Sequence, residues 1–535
     1  MTETIKQTLR DSTAARWTAL IFVSFAMLFA YVFMDILAPI QALLEAAPHL
    51  RWTPDIYGTV SGSGYILNVM GFLILAGIIL DKIGVRNSAL VAGSLMLVGA
   101  TIKFYGVSDA FNNGGFGFEA FNSFWPALPA SAKMALLGFA IFGCGLEMAG
   151  ITVVKAVVKW FKGKELALAM SLQIAIARLG VATVFILSPE FAKAGGIPAS
   201  IGAGAVLLLI GFIAFCAYFM MDKKLDVQLS EAQEKDDPFQ IKDIGKIFAS
   251  SGFWIVALLC VLYYSAIFPF QKFAATMLDS NLTFVELSAD SFWGTTKAKV
   301  IGYLVMLSVA ITAFSSNFVK DRARALLLMC SATLLITYCY FCYMQQSASV
   351  LFSVFPLLAV GITPILGRYV DRKGKAATML ILGSILLIVC HLSFAFILPQ
   401  FQGQALGGIL VAFATILVLG ASFSLVPASL WPSVPKLIDS NVLGSAYALI
   451  FWVQNIGLWL VPMLFGKILT ASNTEIARQV ADEILTPKEA AVMYNYTNPL
   501  IMMAGFGVAA LIVGFILKAI DKKKGYGLEL PNKKN

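Results

Sequence analysis

The chain has 535 residues, 59% of them hydrophobic and only 13% charged, with a net charge of +9. A soluble protein carries about 25% charge, so a water-solvated globule is excluded and most of the chain must lie where charge is not hydrated. The positive charge sits in short connections and at the C-terminus (Lys522, Lys523, Lys524, Lys533, Lys534) rather than on a polar domain, which excludes a nucleic-acid-binding face.

Crossing a hydrocarbon core of about 30 Å takes about 20 apolar residues in a helix. Fourteen runs meet that need, so the expected fold is an all-α integral membrane bundle. The first six run over 17–45, 55–80, 88–108, 133–158, 164–190 and 198–221. A polar stretch containing Glu-Lys-Asp-Asp-Pro follows and reads as a linker over 222–251. The other eight spans are 252–279, 300–319, 324–344, 349–369, 375–398, 406–433, 441–470 and 497–520. The first run is too long for a cleavable signal peptide and is followed by further spans.

Lysine and arginine alternate between the two sides. Lys82/Arg86, Lys159/Lys164, Lys223/Lys224, Lys320/Arg322/Arg324, Arg372/Lys373/Lys375 and Lys436 share the side of Lys6, Arg10 and Arg16, while the opposite loops hold scattered positives. The positive-inside rule then puts both termini in the cytoplasm. All seven cysteines fall inside apolar runs, and the two histidines, His49 and His391, are remote in sequence. No metal, cofactor or nucleophile–base set is expected, and an enzyme is not indicated.

The chain repeats a signature. Gly77-Ile-Ile-Leu-Asp81-Lys82-Ile-Gly84-Val-Arg86 follows the second span, and Gly367-Arg368-Tyr-Val-Asp371-Arg372-Lys373-Gly374-Lys375 recurs about 290 residues later. The glycines are expected to let helices approach closely, and the aspartates to cap a helix end or pair with an arginine. Two copies at matched ends of two halves resemble the plan of the major facilitator superfamily, in which the halves rock about a midplane site. The halves expected are 1–221 and 252–535, with Gly77, Asp81, Gly84, Arg86, Gly367, Asp371, Arg372 and Gly374 as a gating motif. Four runs separate the linker from Asp371, two more than a twelve-helix plan allows. From the pattern alone the added pair is either 252–279 with 300–319, or 300–319 with 324–344.

Charge at membrane depth is costly and marks function. Asp35 lies in the outer part of the first span, Glu147 mid-span in the fourth and Arg178 mid-span in the fifth. Glu147 and Arg178 are each about fifteen residues from the intervening turn, or about 22 Å at 1.5 Å per residue, and so share a depth. They read either as a structural ion pair or as opposed charges for a zwitterion, Glu147 taking an ammonium and Arg178 gripping a carboxylate. Asp35 is a candidate for proton coupling. Tyr65, Asn68, Tyr263, Tyr264, Phe268, Trp431, Gln454 and Asn455 offer a lining.

At these residues the sequence resembles a narrower branch, the lysosomal dipeptide uniporters of that superfamily and their bacterial homologues. The resemblance rests on Trp160-Phe-Lys-Gly-Lys-Glu-Leu166 running on to Gln173 and Arg178, Tyr263-Tyr264 with Phe268-Pro269-Phe270, Pro364 through Asp371, Leu430-Trp431-Pro432, and Gly444-x-Ala446-Tyr447 with Gln454-Asn455-x-Gly457. It implies transport of dipeptides or similar zwitterions, with Glu147 binding the amino terminus, Arg178 the carboxylate, and Tyr65, Tyr263, Tyr264, Trp431 and Asn455 completing the substrate site. It also places Tyr263-Tyr264 in the seventh helix, which makes the added pair about 300–344. The alternative is proton-coupled symport of an organic anion, with Asp35 or Glu147 carrying the proton. The expected partners are a small-molecule substrate and the bilayer, for a monomer in a bacterial inner membrane. The sequence departs from the lysosomal members in that added pair, in the segment 471–498, in Lys103 and Lys272, and in the lack of an acidic dileucine signal.

Overall fold

The computed structural model describes residues 8–161, 164–229, 243–288, 290–438 and 443–531, which are helical with no strand among them. Among the described residues, twelve continuous helical stretches are long and apolar enough to cross a membrane. Two of them, of 54 and 61 residues, would extend about 80 and 90 Å at 1.5 Å per residue, and each is two passes joined at a break. The first breaks at Gly84, with φ +77° and ψ 168°. The second breaks at Gly195 and at Gly196, where φ is +71°. Fourteen passes result, as the apolar runs predict.

We number them α1 (Thr13–Ala46), α2 (54–83), α3 (85–107), α4 (Ala130–Phe161), α5 (168–194), α6 (197–228), α7 (Ser251–Asn281), α8 (Thr296–Ser315), α9 (Asp321–Gln345), α10 (Ala348–Lys373), α11 (Ala376–Phe401), α12 (Ala405–Leu437), α13 (Ser445–Ser472) and α14 (Thr497–Lys524). The expected linker begins later than its composition suggests, because α6 remains helical to Leu229. The apolar-to-polar change at residue 222 does not mark the helix end. Residues 230–242 of that linker, like Lys6, Lys162, Gly163, Lys533 and Lys534, lie outside the described residues.

α3 packs along α4, α1 along α5 and α6, and α2 along α13. The last contact is very close. A methyl group at Gly58 would lie 2.3 Å from the Pro462 carbonyl oxygen, and one at Gly62 would lie 2.2 Å from that of Trp459. Four-residue glycine spacing thus lets one backbone rest on another, the main source of helix affinity where lipid removes the hydrophobic drive. α8 and α9 pack on each other and reach the bundle through α10 and the outer end of α5. Their remaining surface is apolar and exposed at Val300, Leu304, Ile311, Leu326, Met329 and Ile336, as a lipid-facing pair requires.

The end carrying the basic loops is tied within each half. Arg86 bonds Asp226 at 2.6 Å, and Lys159 reaches both Asp222 (2.7 Å) and Asp226 (2.5 Å). Asp222, fully buried, also accepts from Trp160 Nε1 at 2.9 Å and Tyr218 at 3.1 Å. Asp81 pairs with Lys155. Just outside the membrane, Lys164 bonds Asp11 at 2.5 Å and, with the Thr8 backbone N–H, holds that carboxyl well below its ordinary range.

The second signature copy is finished by the C-terminal tail. The backbone N–H groups of Lys375 and Ala376 donate to the carbonyls of Glu529 (3.2 Å) and Leu528 (3.0 Å). The Glu529 carboxylate accepts from Thr378 N (2.9 Å) and Oγ1 (2.7 Å). Asp371 and Arg372 fall in the last turn of α10, and Gly374 turns the chain with φ +73°. The glycines of the two copies do not serve the close helix approach expected of them. A methyl at Gly77, Gly84 or Gly367 would meet open space. Gly84 and Gly374 are required instead by their positive φ, which ends one pass and starts the next.

Candidate functional site

Glu147 projects from the middle of α4 and Arg178 from the middle of α5, both half-buried. Among the described residues neither makes an ion pair within 4.0 Å. The structural ion pair that their shared depth allows is therefore not formed, and the two side chains stand on α4 and α5 without neutralising each other. The Arg178 guanidinium lies against three rings, 4.8 Å from the centroid of Phe423, 4.9 Å from Phe268 and 5.7 Å from Tyr31. Aromatic faces hold a cation in position while leaving its five N–H donors unspent. The Asn455 side chain lies against the Glu147 carboxylate. Its Nδ2 donates to the Phe451 carbonyl at 2.9 Å, and its Oδ1 is buried without a hydrogen-bond partner.

A group of aromatic side chains from the other half of the chain stands beside Arg178. Trp431 Nε1 donates to the Tyr264 hydroxyl at 3.2 Å. Trp431 also stacks on Phe451 at 4.9 Å, and Tyr264 packs on Phe268 at 5.3 Å. Tyr65 sits on α2 within electrostatic reach of Glu147 and Arg178. Of the expected lining, the structure brings together Glu147, Arg178, Tyr65, Tyr264, Trp431 and Asn455.

Tyr263 is not among them. It is fully buried, and its hydroxyl meets the Leu380 carbonyl and the Ser384 hydroxyl, packing α7 against α11. Successive residues of a helix point about 100° apart, so Tyr263 and Tyr264 cannot both face one cavity. Asn68 is also buried, donating to the Gly143 carbonyl at 3.2 Å. Tyr31 and Phe423, which hold Arg178, were missed. Tyr31 stands four residues before Asp35 on one helix face, a spacing that offered a signal. Phe423 lies in an apolar run with nothing to distinguish it.

Asp35 has a different setting. Its carboxylate accepts from Lys272 Nζ at 2.5 Å and Gln271 Nε2 at 2.8 Å, and Lys272 also donates to the Met34 carbonyl at 2.9 Å. Asp35 is 3% and Lys272 5% exposed. Around this bond lie other links between the two parts of the chain. Tyr57 donates to the Lys272 carbonyl at 2.9 Å, Thr276 to Gln41 at 2.6 Å, and Tyr494 to Glu45. Together with the Gly58 and Gly62 contacts they seal the bundle at the end opposite the basic loops. The segment after α13 therefore belongs to this seal through Tyr494. A separate crevice between α5 and α8–α9 is lined by Glu190, Lys193, Lys299, Tyr303 and Gln345. Its acid is satisfied by Lys299 at 2.6 Å and Lys193 at 3.0 Å, and it holds none of the expected site residues.

Comparison with known proteins fits this architecture. The family model described as Major Facilitator Superfamily matches residues 23–352, more than half of the chain. Curated relatives named lysosomal dipeptide transporter MFSD1 are similar at low identity. The Bos taurus protein is 24% identical over 408 residues, covering 74% of this chain and 67% of that one. The Homo sapiens protein is 23% identical with 74% and 67% covered, and the Danio rerio protein 25% identical with 85% and 80% covered. Among solved structures, a mutant of the nucleoside transporter NupG superposes with a TM-score of 0.59 at 12% identity, covering 93% of this chain and 99% of the other, a likeness of fold alone. With its helical membrane bundle, its repeated signature and this match, the chain is a transporter and belongs to the Major Facilitator Superfamily.

Proposed function

We propose that this transporter carries dipeptides or closely similar zwitterions, with Glu147 receiving the ammonium and Arg178 the carboxylate. The observation that carries the reading is the pair of opposite charges at one depth, neither neutralised by a protein partner. A ligand bearing both charges satisfies both at once, whereas a simple anion leaves Glu147 unanswered. The aromatic wall of Tyr264, Trp431 and Phe451 suits the side chains between the two termini, and Tyr65 and Asn455 frame the ammonium end. The curated relatives, which are dipeptide transporters, support the same class of cargo.

Transport proceeds by alternating access between halves 1–221 and 252–535, with α8–α9 as an appended pair. The Asp35–Lys272 bond and its neighbours act as the lock at one end, so Asp35 works through that lock. The distribution of lysine and arginine supports a cytoplasmic basic end, both termini inside, and a bacterial inner membrane as the setting. Purified protein should be stabilised against heat by free dipeptides, and less by N-acetylated or C-amidated forms. Arg178→Ala should abolish dipeptide uptake while leaving the protein folded. Stabilisation by the N-acetylated form equal to that by the parent peptide would favour the organic-anion symporter instead, and retained uptake by Arg178→Ala would exclude the assignment.

A further inference from the structure

On the sealed side of the charge site, a second cluster has a different chemistry. Lys103 of α3 is 2% exposed. Its ammonium stands over the ring of Phe139 at 3.7 Å from the centroid and 5.3 Å from that of Phe33. Among the described residues no carboxylate lies within 4.0 Å of it and no hydrogen bond satisfies it. It opens instead into a small cavity of about 10 Å³ lined by Met34, Tyr57, Ser61, Phe139 and Lys272. A cavity of that size admits one water-sized particle.

The polar lining is donor-rich. Lys272 spends one N–H on Asp35 and another on the Met34 carbonyl, so one of its three donors remains. Ser61 contributes a hydroxyl, and Lys103 three N–H donors. Tyr57 is committed to the Lys272 carbonyl. The nearest carboxylate, Asp35, is already occupied by Lys272 and Gln271. Two lysine side chains thus share a small buried space with one committed acid, so a proton on Lys103 leaves a positive charge unbalanced where burial makes it costly.

We propose that this cavity binds a single halide-sized monovalent anion, held by Lys103, the remaining Lys272 donor and the Ser61 hydroxyl. The size excludes sulfate, organic carboxylates and the peptide itself, and the donor set excludes a cation. The anion balances Lys103 and lies one side chain from the Asp35–Lys272 bond, so it strengthens the seal between α1 and α7 without touching Glu147 or Arg178.

The test uses the full-length purified protein and chloride as the probe, with gluconate holding ionic strength constant. Raising chloride from about 1 mM to about 300 mM should increase Tm by several degrees, since an ion bound only by the folded state stabilises it by mass action. Bromide should act like chloride, and gluconate and sulfate should not. Lys103→Met, which replaces the ammonium by an apolar group of similar length, should fold and lose the chloride dependence. Dipeptide-induced stabilisation should persist in that variant, which separates this site from the substrate site. Bromide anomalous scattering should mark the position beside Lys103. Equal Tm in chloride and gluconate for the parent protein, or an undiminished chloride effect in Lys103→Met, would overturn the proposal. Should Lys103→Met fail to fold, the parent's anion series and the bromide position decide it.

Discussion

The Asp35–Lys272 bond offers the sharpest test of how the structure is held. Lys272→Met removes the ammonium but keeps the length of the side chain, leaving the Asp35 carboxylate 3% exposed with Gln271 as its remaining side-chain partner. Removing one member of a buried pair costs about 3–5 kcal/mol, because the survivor loses its hydrogen-bonded counter-charge in a buried site. That cost falls on the sealed arrangement alone, since opening that end exposes Asp35 to water. At about 1.4 kcal/mol per tenfold, the ratio of sealed to open forms should drop between about 10²- and 10⁴-fold. Gln41, 2% exposed and bonded to Thr276 within the seal, provides the reporter. A cysteine there should react slowly with an impermeant maleimide in the parent and at least about a hundred times faster beside Lys272→Met. Cys390, fully buried in α11, should stay unreactive and so report on general loosening. Adding Asp35→Asn should bring the rate back at least about tenfold, because no carboxylate is left without its ammonium partner. A rate unchanged by Lys272→Met, or one that rises equally at Cys390, would refute the lock.

Other outcomes follow from the same geometry. Glu147→Gln should weaken free dipeptides by about ten- to a hundredfold in binding while leaving N-acetylated peptides unchanged, as loss of one charge-assisted hydrogen bond predicts. Gly58→Leu places its Cβ 2.3 Å from the Pro462 carbonyl oxygen and should lower thermal stability, with faster labelling at Gln41→Cys reporting parted helices. Asp222→Ala strands two buried donors, Trp160 Nε1 and the Tyr218 hydroxyl, and leaves Lys159 with Asp226 alone. It should destabilise the fold by about 3 kcal/mol or more, read by denaturant unfolding. Asp11, held low by Lys164, contributes stability that is present above its ordinary pKa and is lost as pH falls through the lowered folded value. Protease cleavage near the N-terminus should therefore rise only in strong acid, and Asp11→Asn should abolish that step.

The number of passes was legible because the membrane imposes length and hydropathy on each one. The charge site was legible for a related reason, since Glu147 and Arg178 are expensive at that depth and stand out against apolar neighbours. Their relation was not. Shared depth fits an ion pair and an unpaired site equally, and only helix rotation about α4 and α5 separates the charges. Rotation also divides Tyr263 from Tyr264, which adjacency in the chain makes look equivalent. Asp35 and Lys272 are 237 residues apart, and no local pattern connects an acid in one half to a base in the other. The glycines of the repeated signature were visible, but their role as φ-positive corners depends on where each helix turns back.

The docking of the C-terminal tail on the turn between α10 and α11 bears on how the molecule is made. That turn's backbone N–H groups are satisfied by carbonyls at residues 528 and 529, which lie four membrane passes further along the chain. The second copy of the signature therefore stays unfinished until α11 to α14 and the segment behind them have been made, and its closing step follows their synthesis. An affinity tag joined directly at residue 531 would sit beside that turn, whereas a spacer or an N-terminal tag would leave it free to close.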